Sequence, residues 1–326
     1  MARFKVCVSD YDYPDLAIET AVLEPIGAEV VGLQCRTGEG LAELAADADA
    51  ILQQYARIPR DTIARLKRCK AICRYGVGVD IVDVKAAYEH GIVVTNVPDY
   101  CLDEVADHTI TLAFMLIRRI PHYVAAAREG RWHWSVGGGP VHRFRDLVWG
   151  LIGFGRIAQN MVRKLLAFGF EIVACDPYVS ASYMKTWGVT KVTFEEVLAR
   201  AQLVCVMCPY TPETHHLLHA TALASMRPGA MLVNTTRGKI VDNRALHDVL
   251  TTEHLAAAAL DDTEEEPAKL AHWSPASNPL FAHPNCFVTP HVAYVSVEAL
   301  KECRRVAAEN ARAVLLGEPP PNPVPP

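Results

Sequence analysis

The stretch Leu147-Val148-Trp149-Gly150-Leu151-Ile152-Gly153-Phe154-Gly155-Arg156-Ile157-Ala158 decides the fold. Its first half, Val148 to Ile152, reads as a buried strand, and a glycine turn leads into a helical pattern that ends near Gly169. A second strand, Glu171 to Cys175, finishes on Asp176, 21 positions beyond Gly155. Bare G-x-G-x-x-G spacing also occurs in ordinary tight turns. Strand, turn, helix, strand and acid in this order specify a dinucleotide-binding unit. Gly153 permits the tight turn, Gly155 lets the backbone approach a pyrophosphate, and Ala158 is small enough for close helix packing. The helix start at Arg156 and Ile157 offers N–H groups and partial positive charge to phosphate. Asp176 would accept hydrogen bonds from the adenosine ribose hydroxyls and repel a 2′-phosphate, which favours NAD over NADP.

This unit lies near the middle of the chain, so it follows or is inserted in another domain. The first ~95 residues alternate in the same way. Strands are expected at Phe4 to Val8, Ala28 to Gly32, Ala50 to Gln53, Ala71 to Arg74 and Ile92 to Thr95, with helices at Pro14 to Glu24, Pro59 to Leu66 and Val84 to His90. A helix over Leu102 to Arg119 opens with Asp103, Glu104 and Asp107 and closes with Arg118-Arg119, a charge order that suits the helix dipole. Ser135 to Gly139 reads as a loop. After the fingerprint, strands are expected at Leu203 to Met207, Met231 to Asn234, Ala257 to Leu260 and Cys286 to Thr289. A last helix spans Ser296 to Leu316, and a Pro-rich tail, Glu318 to Pro326, is expected to lack regular structure. Two α/β series with parallel sheets suggest two similarly built domains.

Composition excludes other classes. Of 326 residues, 51% are hydrophobic and 21% charged, a globular balance. With 32 basic and 37 acidic side chains, net −5, there is no broad electrostatic footprint for nucleic acid or an anionic membrane. The longest apolar run, Leu112 to Ile117, falls far short of the ~20 residues of a membrane helix. The N-terminus reads as a first strand rather than a leader. The ten cysteines sit in apolar contexts and read as reduced, buried thiols of a cytoplasmic protein. Cys205-Val-Met-Cys208 has C-x-x-C spacing, but it ends an apolar run and precedes Pro209, which suits a strand and its edge. No metal site is expected.

Several motifs together carry a resemblance. Tyr75-Gly-Val-Gly-Val-Asp80, His90-Gly-Ile-Val-Val-Thr-Asn-Val-Pro98, Glu104-Val-Ala-Asp-His108, the glycine loop, Leu232-Val-Asn-Thr-Thr-Arg-Gly238, Ala259-Leu-Asp261 through Glu266-Pro267, and Thr289-Pro-His-Val-Ala293 stand in order over nearly the whole chain. In them the sequence resembles the D-isomer-specific 2-hydroxyacid dehydrogenases. Ala167-Phe-Gly-Phe170, Cys175-Asp-Pro-Tyr178 and His215-His216-Leu217 are most similar to the phosphoglycerate dehydrogenase and C-terminal-binding-protein branches.

The resemblance implies hydride transfer between nicotinamide and carbon 2 of a 2-hydroxy or 2-oxo acid, with NAD as cofactor. Arg237 would anchor the carboxylate and polarise the neighbouring carbonyl through its planar fork. His291 would give or take the proton, since imidazole titrates near neutral pH. Glu266 would tune His291. Glu264 and Glu265 are adjacent acids, and Glu266 is chosen because it precedes Pro267. The Val77-Gly78 loop would present N–H groups to the substrate carboxylate. Asp261 would contact the nicotinamide end, Pro209, Thr214 and Thr236 would line the ribose channel, and Ala293 completes the cofactor set. Tyr55 and Tyr294 are either pocket wall or packing. There are departures: Ala158 replaces the third glycine, Asp262-Thr263 stand where Val-Phe is usual, Ile81 where Asn is usual, and Asp146 where Gly is frequent.

Family resemblance further implies an α/β fold of two Rossmann-like parallel-sheet domains, with the NAD domain, 100–292, inserted in a discontinuous substrate-binding domain, 1–99 plus 293–326, and a homodimer paired through the NAD domains. Two other functions stay open: an NAD(H)-sensing scaffold or corepressor of the C-terminal-binding-protein type, and a D-3-phosphoglycerate dehydrogenase, for which Arg57 and Arg74 are candidate phosphate ligands.

Overall fold

The computed structural model describes residues 2–270 and 272–326. The chain divides into two compact units, Met1–Cys101 with Val295–Pro326, and Leu102–Tyr294. Each is built on one parallel sheet.

In the first unit, β1 (Phe4–Val8), β2 (Ala28–Gly32), β3 (Ala50–Gln53), β4 (Ala71–Arg74) and β5 (Val93–Thr95) lie in the order β2-β1-β3-β4-β5. Strands β1, β3 and β4 are buried almost throughout, as parallel strands covered on both faces must be. The helices are α1 (Ala17–Leu23), α2 (Gly38–Leu44), α3 (Arg60–Ile63) and α4 (Val84–Glu89).

The second unit opens with α5 (Leu102–Ile117) and α6 (Ile120–Arg128). Its strands are β6 (Val148–Ile152), β7 (Glu171–Cys175), β8 (Thr190–Lys191), β9 (Leu203–Val206), β10 (Ala230–Asn234), β11 (Leu255–Leu260) and β12 (Cys286–Val288), in the order β12-β11-β10-β9-β6-β7-β8. The helices between them are α7 (Arg156–Leu165), α8 (Ala181–Thr186), α9 (Phe194–Arg200), α10 (Ala220–Ala224) and α11 (Asn243–Thr251). The chain then returns to the first unit in α12 (Val297–Leu316). Strand order reverses between β6 and β9, the switch point at which open α/β sheets bind ligands. Two clusters, one on each face, hold this sheet. One centres on Trp149, Leu151, Phe154 and Met161, the other on Val204, Leu232, Leu246 and Leu260.

Two expectations need correction, and a third, a tail without helix or strand, holds with one addition. The helix expected through Arg119 stops at Ile117, because Arg119 adopts a left-handed conformation (φ 52) and a new helix starts there with Pro121 in its first turn. Proline has no N–H to continue the ladder from Ile117. Helix α2 was not expected, since Gly38 and Gly40 are poor helix formers; the Thr37 hydroxyl caps it by accepting from Gly40 N. The Pro-rich tail is not without pairing. Asn322 O and Val324 N bond to Asn96 N and Val94 O, and Thr95 bridges Pro323 in antiparallel sense. Prolines are tolerated there because the tail is an edge.

Cys205 lies in β9 and Cys208 beyond its end, and the ten cysteines are free thiols. Burial pushes Cys69 and Cys73 up to about 12, which keeps both protonated and unreactive near neutral pH.

Helix α12 is tied to α1 by a buried ion pair. Arg304 donates from Nε and Nη2 to both oxygens of the fully buried Glu19, at 2.9 and 2.7 Å, and from Nη2 to Asp15 O at 2.7 Å. Tyr75 Oη donates to Glu19 Oε1 at 3.0 Å, and the Arg304 guanidinium stacks on Tyr13. Arg304→Met leaves Glu19 buried without its cation. Breaking such a pair costs about 3–5 kcal/mol. A denaturant titration of the variant is expected to show the loss as a lower midpoint at unchanged slope.

Candidate active site

The glycine turn sits at the end of β6. Gly153 has φ 99, and a Cβ there would lie 2.8 Å from Met207 C and Cys208 N, so the position accepts only glycine. Gly155 is the opposite case. A Cβ on it would meet no atom within 4 Å, so the space before the N-terminus of α7 is open to a ligand. Asp176 has a part that sequence reasoning did not foresee. Its Oδ2 accepts from Phe154 N at 2.8 Å and its Oδ1 from Tyr178 N at 2.8 Å. The acid therefore shapes the glycine loop, and each oxygen keeps a further lone pair for a ribose hydroxyl. This open cradle with a strand-end acid fits a dinucleotide. The Thr214 hydroxyl closes the neighbouring loop, donating to Pro209 O at 2.8 Å and accepting from Thr211 N at 2.7 Å.

The other half of the site follows the carboxyl ends of three neighbouring strands, β10, β11 and β12. Beyond β10, buried Asn234 braces the turn. Its Oδ1 accepts from Thr236 N and Oγ1, and its Nδ2 donates to Arg237 O. The Arg237 side chain leaves this turn, with Nη1 donating to Thr236 O at 3.0 Å. Gly238 packs against the segment after β11 so closely that a Cβ would fall on the Thr263 carbonyl. Arg237 is thereby fixed beside residues 262–266.

Beyond β11, Asp261 is 2% exposed. Its carboxylate accepts from Thr289 Oγ1 (2.5 Å), Val292 N (3.0 Å) and Ala293 N (2.8 Å), while its backbone O accepts from His291 N at 2.8 Å. The carboxylate expected at the nicotinamide end therefore also holds the 289–293 turn. His108 of α5 adds Nε2 against Thr289 Oγ1 at 3.2 Å. In this turn His291 adopts φ 55, and its ring meets the Tyr294 ring edge-on at 5.9 Å. Glu266 (φ 50) and His216 (φ 49) share the left-handed conformation. Such strain costs about 1–3 kcal/mol per residue and gathers at functional sites.

The acids Glu264, Glu265 and Glu266 are not an exposed acidic turn. Glu264 pairs with His216 and accepts from Asn243 N at the start of α11, and Glu265 accepts from Asn278 Nδ2 at 3.2 Å. Glu266 is buried, and its Oε2 accepts from Lys239 Nζ at 2.7 Å. The carboxylate oxygen set against His291 Nδ1, at 3.1 Å, belongs to Asp262. Sequence reasoning missed Asn234, Lys239 and this place for Asp262. The unusual residue at 262 was the one available signal.

In the first unit, Tyr55 N and Ala56 N donate to the buried Asp10 carboxylate, and Arg36 lies over the Tyr55 ring. Arg74 donates to Gly78 O, Tyr75 O and Gln53 O, and Asn96 Nδ2 to Val77 O. The Val77-Gly78 loop is thus held through its carbonyls, and the Arg74 guanidinium is already engaged by backbone oxygens.

Fold and glycine loop define a Rossmann-type dinucleotide-binding domain joined to a second α/β unit. Residues 110–293 match the family described as D-isomer specific 2-hydroxyacid dehydrogenase, NAD binding domain. The chain belongs to this family and carries its NAD-binding domain. A D-3-phosphoglycerate dehydrogenase of Methanocaldococcus jannaschii is 36% identical over 321 residues, covering 96% of this chain and 58% of that protein. The chain thus spans little more than half the length of this curated relative. Among solved structures, the TT0316 protein of Thermus thermophilus superposes with TM-score 0.87 at 34% identity, covering 98% of this chain and 100% of that one. The D-lactate dehydrogenase of Escherichia coli superposes with TM-score 0.80 at 29% identity, covering 98% and 100%.

Asp176→Ser is expected to weaken NADH binding by about tenfold, the loss of a charge-assisted hydrogen bond. It should also narrow the preference over NADPH. Fluorescence titrations with both nucleotides measure the two effects.

Proposed function

We propose that the protein is an NAD-dependent dehydrogenase of D-2-hydroxy acids, interconverting them with 2-oxo acids. The observation that carries this reading is the grouping of Arg237, Glu266 and His291 beyond the ends of three adjacent strands, on the sheet that bears the glycine loop. Bound NAD supplies hydride acceptance or donation at carbon 2. Arg237 binds the substrate carboxylate and draws charge from the oxo group with the same planar cation. His291 gives its proton to the substrate oxygen in reduction and takes it back in oxidation. Glu266 acts through its charge on that imidazole, and its burial beside Lys239 keeps it ordered.

Likeness to D-3-phosphoglycerate dehydrogenases favours a second reading, a phosphorylated substrate. Engagement of Arg74 by three carbonyls speaks against it as the phosphate ligand and leaves Arg57 as the candidate. An NAD(H)-sensing scaffold is the third reading, and absence of turnover with NADH-dependent assembly would favour it. Purified protein with NADH and glyoxylate, hydroxypyruvate, pyruvate, phenylpyruvate or a phosphorylated 2-oxo acid separates these readings by absorbance. His291→Asn is expected to lower turnover by at least about 100-fold, the range for lost general acid–base catalysis, with NADH affinity unchanged. Equal loss of both would overturn the role of His291.

The reading includes a homodimer through the NAD domains. Apolar side chains exposed on α6 and just beyond it, Ile120, Val124, Trp132 (88% exposed) and Trp134 (80%), support it. Ten free thiols are consistent with a cytoplasmic setting, and among the described residues no helix is long and apolar enough to cross a membrane. Trp132→Glu with Trp134→Glu is expected to halve the mass measured by light scattering; an unchanged mass excludes this surface.

A further inference from the structure

Asp262 is an acid where the family pattern has valine, and it is one of the least exposed charged residues in the chain, at 6%. A buried carboxylate is costly unless a donor or a cation meets it. Its Oδ1 is satisfied, accepting from Thr263 N at 2.9 Å. Its Oδ2 accepts no hydrogen bond. That oxygen nevertheless lies 3.1 Å from His291 Nδ1. The separation is that of a hydrogen bond, and the direction of the ring N–H is not. A turn of the imidazole about its Cβ–Cγ bond brings the N–H into line without moving the backbone, which Asp261 clamps through His291 N, Val292 N and Ala293 N.

We propose that Asp262 is a positioning residue for His291, accepting a hydrogen bond from Nδ1–H and so fixing the tautomer in which Nε2 serves the substrate oxygen. Which ring nitrogen holds the proton is set by the bond that the other one makes. In this chain the work given to one carboxylate is divided. Glu266 Oε2 is engaged by the Lys239 ammonium, and Asp262 is the acid within reach of Nδ1. The alignment uses no further donor, because the half-buried imidazole already lies beside the buried carboxylate.

This inference rests on the dehydrogenase reading for its kinetic consequence but not for its geometry, so two measurements are made on the full chain. Asp262→Asn keeps the size and the bond from Thr263 N and removes the charge. Its kcat for 2-oxo acid reduction is expected to fall roughly 10- to 100-fold, part of the range for acid–base groups, with KM and NADH affinity within about twofold. Asp262→Glu is expected to recover part of kcat. Independently, ring nitrogen spectra of histidine-labelled protein, with His291 assigned by its loss in His291→Asn, are expected to show the Nδ1–H form in the wild type and a mixture in Asp262→Asn. Unchanged ring signals, or a kcat within twofold of wild type, overturns the proposal. If no 2-oxo acid is reduced by the wild type, the dehydrogenase reading fails, and the ring spectra still decide the place of Asp262. If Asp262→Asn unfolds, as judged by thermal melting, Asp262→Val, which restores the usual apolar residue, carries the same expectations.

Discussion

One buried carboxylate organises the turns beyond the carboxyl ends of β11 and β12. Asp261 stands at the end of β11 and collects donors from Thr289, Val292 and Ala293, which follow β12. A charge buried to 2% exposure persists only because those donors replace water. The bonds in turn force the 289–293 segment into a tight curl, and His291 is left with a positive φ that a side chain ordinarily avoids. The position of the imidazole is therefore a consequence of backbone bonding to a neighbour, and a packing change at β11 would reach it before any change in its own residue type.

The same logic governs the end of β10. Asn234 turns the chain after β10 so that Arg237 leaves it toward the 262–266 segment, and Gly238 permits contact that no other residue allows. The turns that carry Arg237 and His291 are thus each set by a different buried polar residue, Asn234 and Asp261. Such supporting shells hold reacting groups to within a fraction of an ångström.

The two parallel sheets were legible because both properties that define them are local: apolar strands at regular spacing and a glycine turn with an acid after the next strand. What escaped was set by tertiary contact. Helix α2 forms despite Gly38 and Gly40 because Thr37 caps it and Leu41 is buried. The tail gains a backbone partner because β5 leaves an edge open to Asn322 and Val324. The break at Arg119 was readable in Pro121, but the charge pattern of the longer helix outweighed it. At the site, motifs pointed to Arg237, Glu266 and His291. They could not reveal that Asp261 also holds a turn or that Lys239 meets Glu266, since both follow from distances across strands.

Charge pairing separates the acids that follow β11 by what answers each of them. Lys239 meets the buried Glu266, Asn243 N and His216 meet Glu264, and backbone and hydroxyl donors of residues 289–293 meet Asp261. A buried carboxylate left without a cation or donors costs several kcal/mol. Asp262, the acid that replaces the usual valine, has Thr263 N on one oxygen, and its other oxygen lies 3.1 Å from His291 Nδ1. The group in place to answer that second oxygen is therefore the imidazole, and the same contact that lowers the cost of burying Asp262 restricts the orientation of the ring.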